Sequence, residues 1–167
     1  KLRGEAAAAF TSLAEKQVNS TPETQYQIAS AIAAQAVSLW QKGDSFGAEK
    51  LAREGVTRLI ALQRKMPGDV RVAIDLAAQQ GIIATTLRDE GKASEARRLL
   101  VEGIKVLEKG VVEYPKNWSA RYLLASLKWQ LSGLLGQQGD GDEETRLGVE
   151  AQDELKALLN NPAMKRP

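Results

Sequence analysis

Three glycines, Gly43, Gly91 and Gly139, are separated by 48 residues and again by 48 residues. Self-similarity at a fixed period is the sequence signature of repeat proteins, in which one supersecondary unit stacks on its neighbours. The chain is therefore predicted to contain three copies of one structural unit. The same offset relates similar residues at five further positions: Ala29, Ala77 and Ala125; Leu39, Leu87 and Leu135; Glu54, Glu102 and Glu150; Gly55, Gly103 and Ala151; Leu59, Leu107 and Leu155.

Each unit predicts two helices. Apolar residues recur at steps of three and four, as in Leu100, Ile104 and Leu107, which is the period of an amphipathic helix. The apolar residues are mostly Ala, Leu, Ile and Val with few aromatics, and this favours helices over sheets. We expect the first helices at 22–42, 69–90 and 118–138, and the second helices at 45–65, 94–113 and 142–159.

The turn between the two helices of a unit carries the repeated glycine. A glycine just after a helix typically adopts the left-handed conformation that ends it. The polar residues that follow are candidate N-caps of the second helix, namely Asp44 or Ser45, Ser94, and Asp140 or Asp142.

The repeat divides the chain into parts of one domain, 1–167. Residues 1–20 are expected to form a partial repeat or capping helix, which makes about seven helices in all. The three units are 21–66, 67–114 and 115–161, and 162–167 is a tail. In the last helix Gln152 stands where Val56 and Ile104 stand in the earlier units. A more polar last helix is typical of a terminal cap.

The small residues at fixed spacing resemble those of the tetratricopeptide repeat. The pattern is carried by Ala84, Leu87, Gly91, Ala96 and Gly103, and it recurs in the unit before. The resemblance implies an all-α fold, a right-handed superhelix of antiparallel helix pairs that bind proteins. Units of that family have about 34 residues, so these are longer, and they are similar to arrays attached to kinase or other signalling domains in large bacterial proteins.

The resemblance also implies a partner-binding concave face lined by the first helices. The family's groove positions fall on Ala33, Val37, Trp40, Gly81, Thr85, Arg88, Trp129 and Gly133. Trp and Arg are enriched at binding hot spots, so Trp40, Arg88 and Trp129 are the candidate anchors, unless either Trp packs on a neighbouring helix. A clamp for a peptide carboxylate is disfavoured, since Ala33, Gly81 and Trp129 replace the expected Lys.

Several classes of chemistry lack their residues. The chain has neither Cys nor His, the usual thiolate and imidazole groups of metal sites and general bases. We expect no catalytic, cofactor or metal site. A net charge of +2 without blocks of like charge argues against nucleic acid. Residues 24–41 are uncharged but contain several Gln and Ser, so we expect a helix of a soluble domain and no membrane insertion.

Some polar and aromatic residues have narrower expectations. Glu95, Arg98, Glu102, Lys105 and Lys109 lie three or four apart and predict ion pairs along one solvated helix face. Asp75 interrupts an apolar stretch and is expected at a groove or beside an Arg. The repeat-equivalent Tyr26 and Tyr122 are expected in the core.

The sequence thus favours a non-catalytic scaffold that binds a protein or peptide on the concave face. The alternatives are a spacer or self-association module, with a possible homodimer, or a small-molecule sensor whose pocket uses the groove tryptophans. The chain starts at Lys1 rather than Met, which we interpret as a fragment of a longer protein. The absence of Cys is compatible with any compartment, and the cytoplasm is the preferred expectation.

Overall fold

The computed structural model describes residues 21–139 and 141–161, which form helices and turns without a strand. The all-α class is therefore confirmed, and each predicted helix bound is correct to within one residue. The partial repeat expected at 1–20 and the tail at 162–167 lie outside the described residues. The helices are α1 Pro22–Gln41, α2 Ser45–Lys65, α3 Val70–Asp89, α4 Ala93–Glu113, α5 Trp118–Gln138 and α6 Gly141–Leu159.

The turn within each unit is built around its glycine. Gly43, Gly91 and Gly139 have φ of 83°, 77° and 83°, the left-handed conformation that lets a chain leave a helix and reverse. The predicted role of these residues is confirmed. The next residue is the N-cap of the second helix: the Asp44 carboxylate accepts the amide hydrogen of Gly47 at 2.9 Å.

The N-cap predicted at Ser94 is wrong. The cap position follows the repeat and falls on Lys92, directly after Gly91, whose side chain makes no capping hydrogen bond. Ser94 consequently lies inside α4. The repeat thus fixes where the helix begins even where the residue at that position is a poor cap.

The helices stack in chain order as three antiparallel pairs. Each helix packs on the next one along the chain, both within a pair and between pairs. The first helices also pack on one another, α1 on α3 and α3 on α5, and no pair of second helices packs to a similar extent in the described part of the chain. One continuous hydrophobic core runs from Ala36 in α1 to Leu147 in α6, and a smaller cluster fills the space between α1, α2 and α3.

Consecutive units are joined by one wedge-like side chain on each incoming first helix. Leu127 of α5 is fully buried, with one methyl group over Gly81 of α3 and the other over Gly103 of α4. A Cβ added to Gly81 would lie 2.8 Å from Leu127 Cδ2, and one added to Gly103 would lie 3.0 Å from Cδ1. The two glycines therefore leave the space that Leu127 occupies.

The same joint recurs one unit earlier with a different residue. Gln79 of α3 occupies the position equivalent to Leu127, and its side chain packs over Gly55 of α2. Its amide Nε2 donates to the carbonyl oxygen of Ala33 at 3.5 Å. Positions 79 and 127 thus make equivalent contacts, 48 residues apart, between one unit and the next.

A second pair of equivalent contacts confirms the repeat in three dimensions. Gln80 donates to Glu102 at 3.4 Å, and Lys128 donates to Glu150 at 2.8 Å, with both partners shifted by 48 residues. Lys128 also pairs with Glu108 at 3.2 Å. Burial disfavours its ammonium charge, but the hydrogen bonds to Glu150 and Glu108 outweigh burial and raise the pKa of Lys128.

A polar cluster lies between the start of α1 and the start of α3. The Asp75 carboxylate is half-buried and hydrogen-bonds to the hydroxyls of Ser30 and Tyr26, while its Oδ2 atom has no partner. Burial raises the pKa of Asp75, and the two hydroxyls and the charge of Arg71 oppose that rise. Asp75 is therefore near an arginine, as expected, but its bonding partners are hydroxyls.

The core role predicted for the two tyrosines holds for neither residue in full. Tyr26 is half-buried beneath the guanidinium of Arg71 from the next unit, 4.6 Å from the ring centre. Tyr122 is 55% exposed, so its prediction is wrong. The described residues contain no fourth unit that would cover Tyr122 as Arg71 covers Tyr26.

Asp75→Asn is expected to stabilise the protein at pH 7 by about 1 kcal/mol. Because the folded-state pKa of Asp75 is raised above its ordinary 3.8, stability contributed by the protonated carboxyl is present below that value and is lost as pH rises through the folded-state pKa. The neutral amide avoids that loss, so the gain should shrink as pH falls from 7 towards 4. Denaturant unfolding at several pH values measures it.

The matched control is Asp153→Asn, on the exposed face of α6, which should change stability little at any of these pH values. A loss of stability in Asp75→Asn at pH 7 would contradict the prediction. It would mean that the hydrogen bonds from Ser30 and Tyr26 stabilise the carboxylate by more than burial destabilises it.

Candidate functional site

The eight predicted site residues share one face of the three first helices. They fall into three sets related by the 48-residue offset: Ala33, Gly81 and Trp129; Val37, Thr85 and Gly133; Trp40 and Arg88. Successive sets are four and three residues apart, a spacing that places side chains on the same side of a helix.

The first set lies where consecutive units meet. Ala33 is 3% exposed and receives the Gln79 amide on its carbonyl, and Gly81 is buried beneath Leu127. Trp129 has the equivalent position in α5 but is 56% exposed. Thus Ala33 and Gly81 serve helix packing, and Trp129 remains accessible because no described unit follows it.

The second set shows the same gradient. Val37 is half-buried against the main core. Thr85 is also half-buried, and its hydroxyl donates to the carbonyl of Gly81 at 3.0 Å and contacts Gln130 Oε1 at 3.3 Å. Gly133 is exposed and has open space where a side chain would be.

The third set is accessible in both units that contain it. Trp40 is 45% exposed at the end of α1. The guanidinium of Arg88 is partly exposed and is bound to the carboxylate of its neighbour Asp89, with Nη2 to Oδ1 at 2.9 Å. Such an exposed pair stabilises little and exchanges readily for another anion.

The exposed part of the predicted site is therefore smaller than the resemblance implies. It consists of Trp40, Arg88, Trp129 and Gly133, which we call the exposed first-helix surface. Thr85 and Arg88 also border a crevice of about 10 Å³ between α3, α4 and α5. That volume holds about one water molecule, so the crevice is not a ligand pocket.

Sequence reasoning missed two larger clefts between successive second helices. The first cleft, of about 580 Å³, lies between α2 and α4 over the start of α3. The second cleft, of about 670 Å³, lies between α4 and α6 over α5. Gln63, Pro67, Ala73, Lys105 and Val106 of the first cleft are matched 48 residues later by Val111, Pro115, Arg121, Asp153 and Glu154 of the second.

Charges are balanced differently in the two clefts. In the second cleft Lys128 binds Glu150 and Glu108, and Arg121 binds Glu154. In the first cleft Lys105 and Lys109 form no ion pair or hydrogen bond within the described residues. The ion pairs predicted along α4 are thus absent there, because Glu102 accepts from Gln80 and Glu108 pairs with Lys128.

Two further kinds of site were searched for in residues 21–139 and 141–161. No helix there is long and apolar enough to cross a bilayer. That part of the chain also brings no three acidic side chains together in an arrangement that would hold a metal ion.

Comparison with models of known protein families, with curated proteins and with solved structures finds no match for this chain. The resemblance to the tetratricopeptide repeat accordingly rests on the residues named above, and the superhelix with its handedness is a proposal.

Gly81→Ala and Gly133→Ala are expected to change stability in opposite directions. Leu127 is held between Gly81 and Gly103, so it has no room to yield to a methyl group, and overpacking costs about 1–3 kcal/mol. Gly133 faces open space within α5, where Ala stabilises a helix by about 0.5–1 kcal/mol. Thermal and urea unfolding compare the two variants, and equal effects would contradict the wedge described for Leu127.

Proposed function

We propose that this chain is a non-catalytic interaction scaffold that binds a protein or peptide segment on its exposed first-helix surface. The observation that carries the proposal is the accessibility of Trp40 and Trp129, 45% and 56% exposed on the same side of their helices. Large exposed aromatic side chains are costly to leave in water and are the residues most enriched at binding hot spots.

The packing of the helices supports a concave surface at these residues. First helices pack on one another in succession, and second helices do not pack to a similar extent in the described part of the chain. A row of helix pairs that is tighter on one side curves towards that side. We therefore propose that the first helices line the inside of the curve, in a superhelix like that of the tetratricopeptide proteins.

The chemistry of the surface indicates the kind of segment it binds. Two indole rings offer apolar contact area, and Arg88 offers a guanidinium that has only an exposed carboxylate as its partner. A segment with apolar side chains and an acidic group would bury the rings and replace Asp89 at the arginine. The proposed partner is accordingly a protein or peptide segment of this mixed apolar and acidic character.

Trp40→Ala/Arg88→Ala/Trp129→Ala is expected to lose the partner. The wild type and the triple variant are used as bait in a lysate of the source cells, and each retained protein is then measured in purified form. Because removal of a hot-spot side chain costs at least about 2 kcal/mol, the triple variant should bind at least about 30-fold more weakly.

The matched control is Phe46→Ala/Arg98→Ala/Tyr114→Ala, which removes two exposed aromatic side chains and one exposed arginine outside the first helices. Circular dichroism and unfolding first establish that both variants are folded. Equal binding by both would place the site elsewhere, whereas loss of binding in the control alone would assign it to the second helices and the loops that flank them.

A second candidate function, self-association, is favoured by the position of Trp129. Its equivalents Ala33 and Gly81 are covered by the following unit, so α5 presents a face that accepts a helix in the earlier units. A second copy that docks there would cover Trp129 and Gly133 as Gln79 and Leu127 cover the earlier positions. This function would make the module a spacer or dimerisation element of a larger protein.

Trp129→Glu is expected to abolish dimerisation if self-association is the function, because docking would bury the new charge without a partner. Sedimentation velocity over a range of protein concentrations measures it, with Tyr122→Glu on the same helix as the control. A wild type that stays monomeric at the highest concentration rules this function out and leaves the partner-binding proposal unaffected.

A further inference from the structure

The two clefts between the second helices are built on the same positions of the repeat but carry opposite charge. Lys105 of the first cleft is replaced by Asp153 in the second, and Val106 is replaced by Glu154. Ala73, on the floor of the first cleft, is replaced by Arg121. A common fold has thus produced one cleft with free cations and one whose cations are bound by its own carboxylates.

In the second cleft, ion pairs occupy the polar groups. Arg121 reaches Glu154 with both Nε and Nη2, and hydrogen bonding to Glu154 raises the pKa of Arg121. Lys128 lies between Glu150 at 2.8 Å and Glu108 at 3.2 Å. A ligand there would have to compete with these internal pairs, so the second cleft is satisfied without one.

In the first cleft, the acidic residues leave the two lysines free. Asp69 is held by Arg71, whose Nη2 lies 2.7 Å from Asp69 Oδ2, and this hydrogen bond lowers the pKa of Asp69. Glu113, four residues after Lys109, makes no ion pair with it. Lys105 and Lys109 lie one turn apart on α4, so their ammonium groups border the same part of the cleft.

The rest of the first cleft is largely apolar. Met66, Pro67, Val70, Ala73 and Val106 line it, and Gly110 brings the backbone of α4 close to the side chain of Val70. Its volume of about 580 Å³ lies within the roughly 300–1,000 Å³ of pockets that hold small organic ligands. An apolar cavity with convergent cations at one side suits a molecule that has an apolar body and an anionic group.

We propose that the first cleft is a binding site for a small amphipathic anion. The carboxylate or phosphate of the ligand binds Lys105 and Lys109, and its apolar body packs on Met66, Val70 and Val106. The site is separate from the exposed first-helix surface, since it uses the opposite helices of each pair. Occupation would join α2, α3 and α4, and hence the first two units of the repeat.

Three small probes separate the contribution of charge from that of the apolar body. 4-Phenylbutyrate has both features, 4-phenylbutanol lacks the charge, and butyrate lacks the ring. We expect 4-phenylbutyrate to shift the amide resonances of Val70, Val106 and Gly110 with a Kd on the order of 1 mM, given its roughly 12 non-hydrogen atoms. The other two should bind at least about tenfold more weakly. Phenyl phosphate in the same titration shows whether a phosphate replaces the carboxylate.

Two variants locate the site. Lys105→Glu/Lys109→Glu should weaken 4-phenylbutyrate at least about tenfold, while Lys50→Glu/Arg98→Glu, with the same change of net charge on exposed positions of α2 and α4, should leave it unchanged. Ala73→Leu should block the apolar floor without altering the charge. The equivalent position holds the larger Arg121, so this variant is expected to fold, and its melting curve verifies that.

Overturning results are equally specific. The proposal fails if 4-phenylbutanol binds as tightly as 4-phenylbutyrate, if the shifted resonances lie outside the first cleft, or if both charge-reversal variants weaken binding alike. Trp40→Ala/Arg88→Ala/Trp129→Ala should still bind the probe. A loss of binding in that variant would assign the ligand to the exposed first-helix surface and would overturn the separate site.

Discussion

The insertion of one side chain between the two helices of the preceding unit is the contact on which the rest of the structure depends. Leu127 fills the space left by Gly81 and Gly103, and burial of a leucine contributes about 1.5–3 kcal/mol. Because the side chain meets one residue from each helix of the earlier pair, it fixes the position of the new unit relative to both. The 48-residue period follows from that geometry, since a helix pair of any other length would move the next insertion away from its glycines.

The joint between the first two units is made of weaker materials. Gln79 replaces leucine at the point of insertion, and in the described residues all three buried side-chain oxygens that lack a partner, Asp75 Oδ2, Gln79 Oε1 and Gln80 Oε1, belong to α3. An unsatisfied buried polar group costs about 1–3 kcal/mol. Local opening of a repeat array begins where the interface between neighbours is least stable. Helix α3 is therefore where the array should open, and a ligand in the first cleft would act on that same joint.

Local features of the fold were predictable from the sequence, whereas the environment of each position was not. Helix bounds and the glycine turns follow from spacing and backbone conformation, which depend on near neighbours in the chain. The exposure of Trp129 and the burial of Gly81 do not, because both occupy the same position of the repeat and differ only in whether another unit covers them. The free lysines of α4 were missed for the same reason: Glu102 and Glu108 pair with Gln80 of α3 and Lys128 of α5, contacts that helix spacing alone does not reveal.

The candidate binding sites lie where the units differ from one another. Positions that make the same contact in successive units, such as 79 and 127, are committed to holding the array together, so a partner cannot use them without separating the units. Positions that change character, from Ala33 and Gly81 to Trp129 or from Lys105 to Asp153, are free of that duty. A common helix pair can therefore present an aromatic surface on its first helices and an anion-binding cleft between its second helices. Neither requires a change in the packing that supports both.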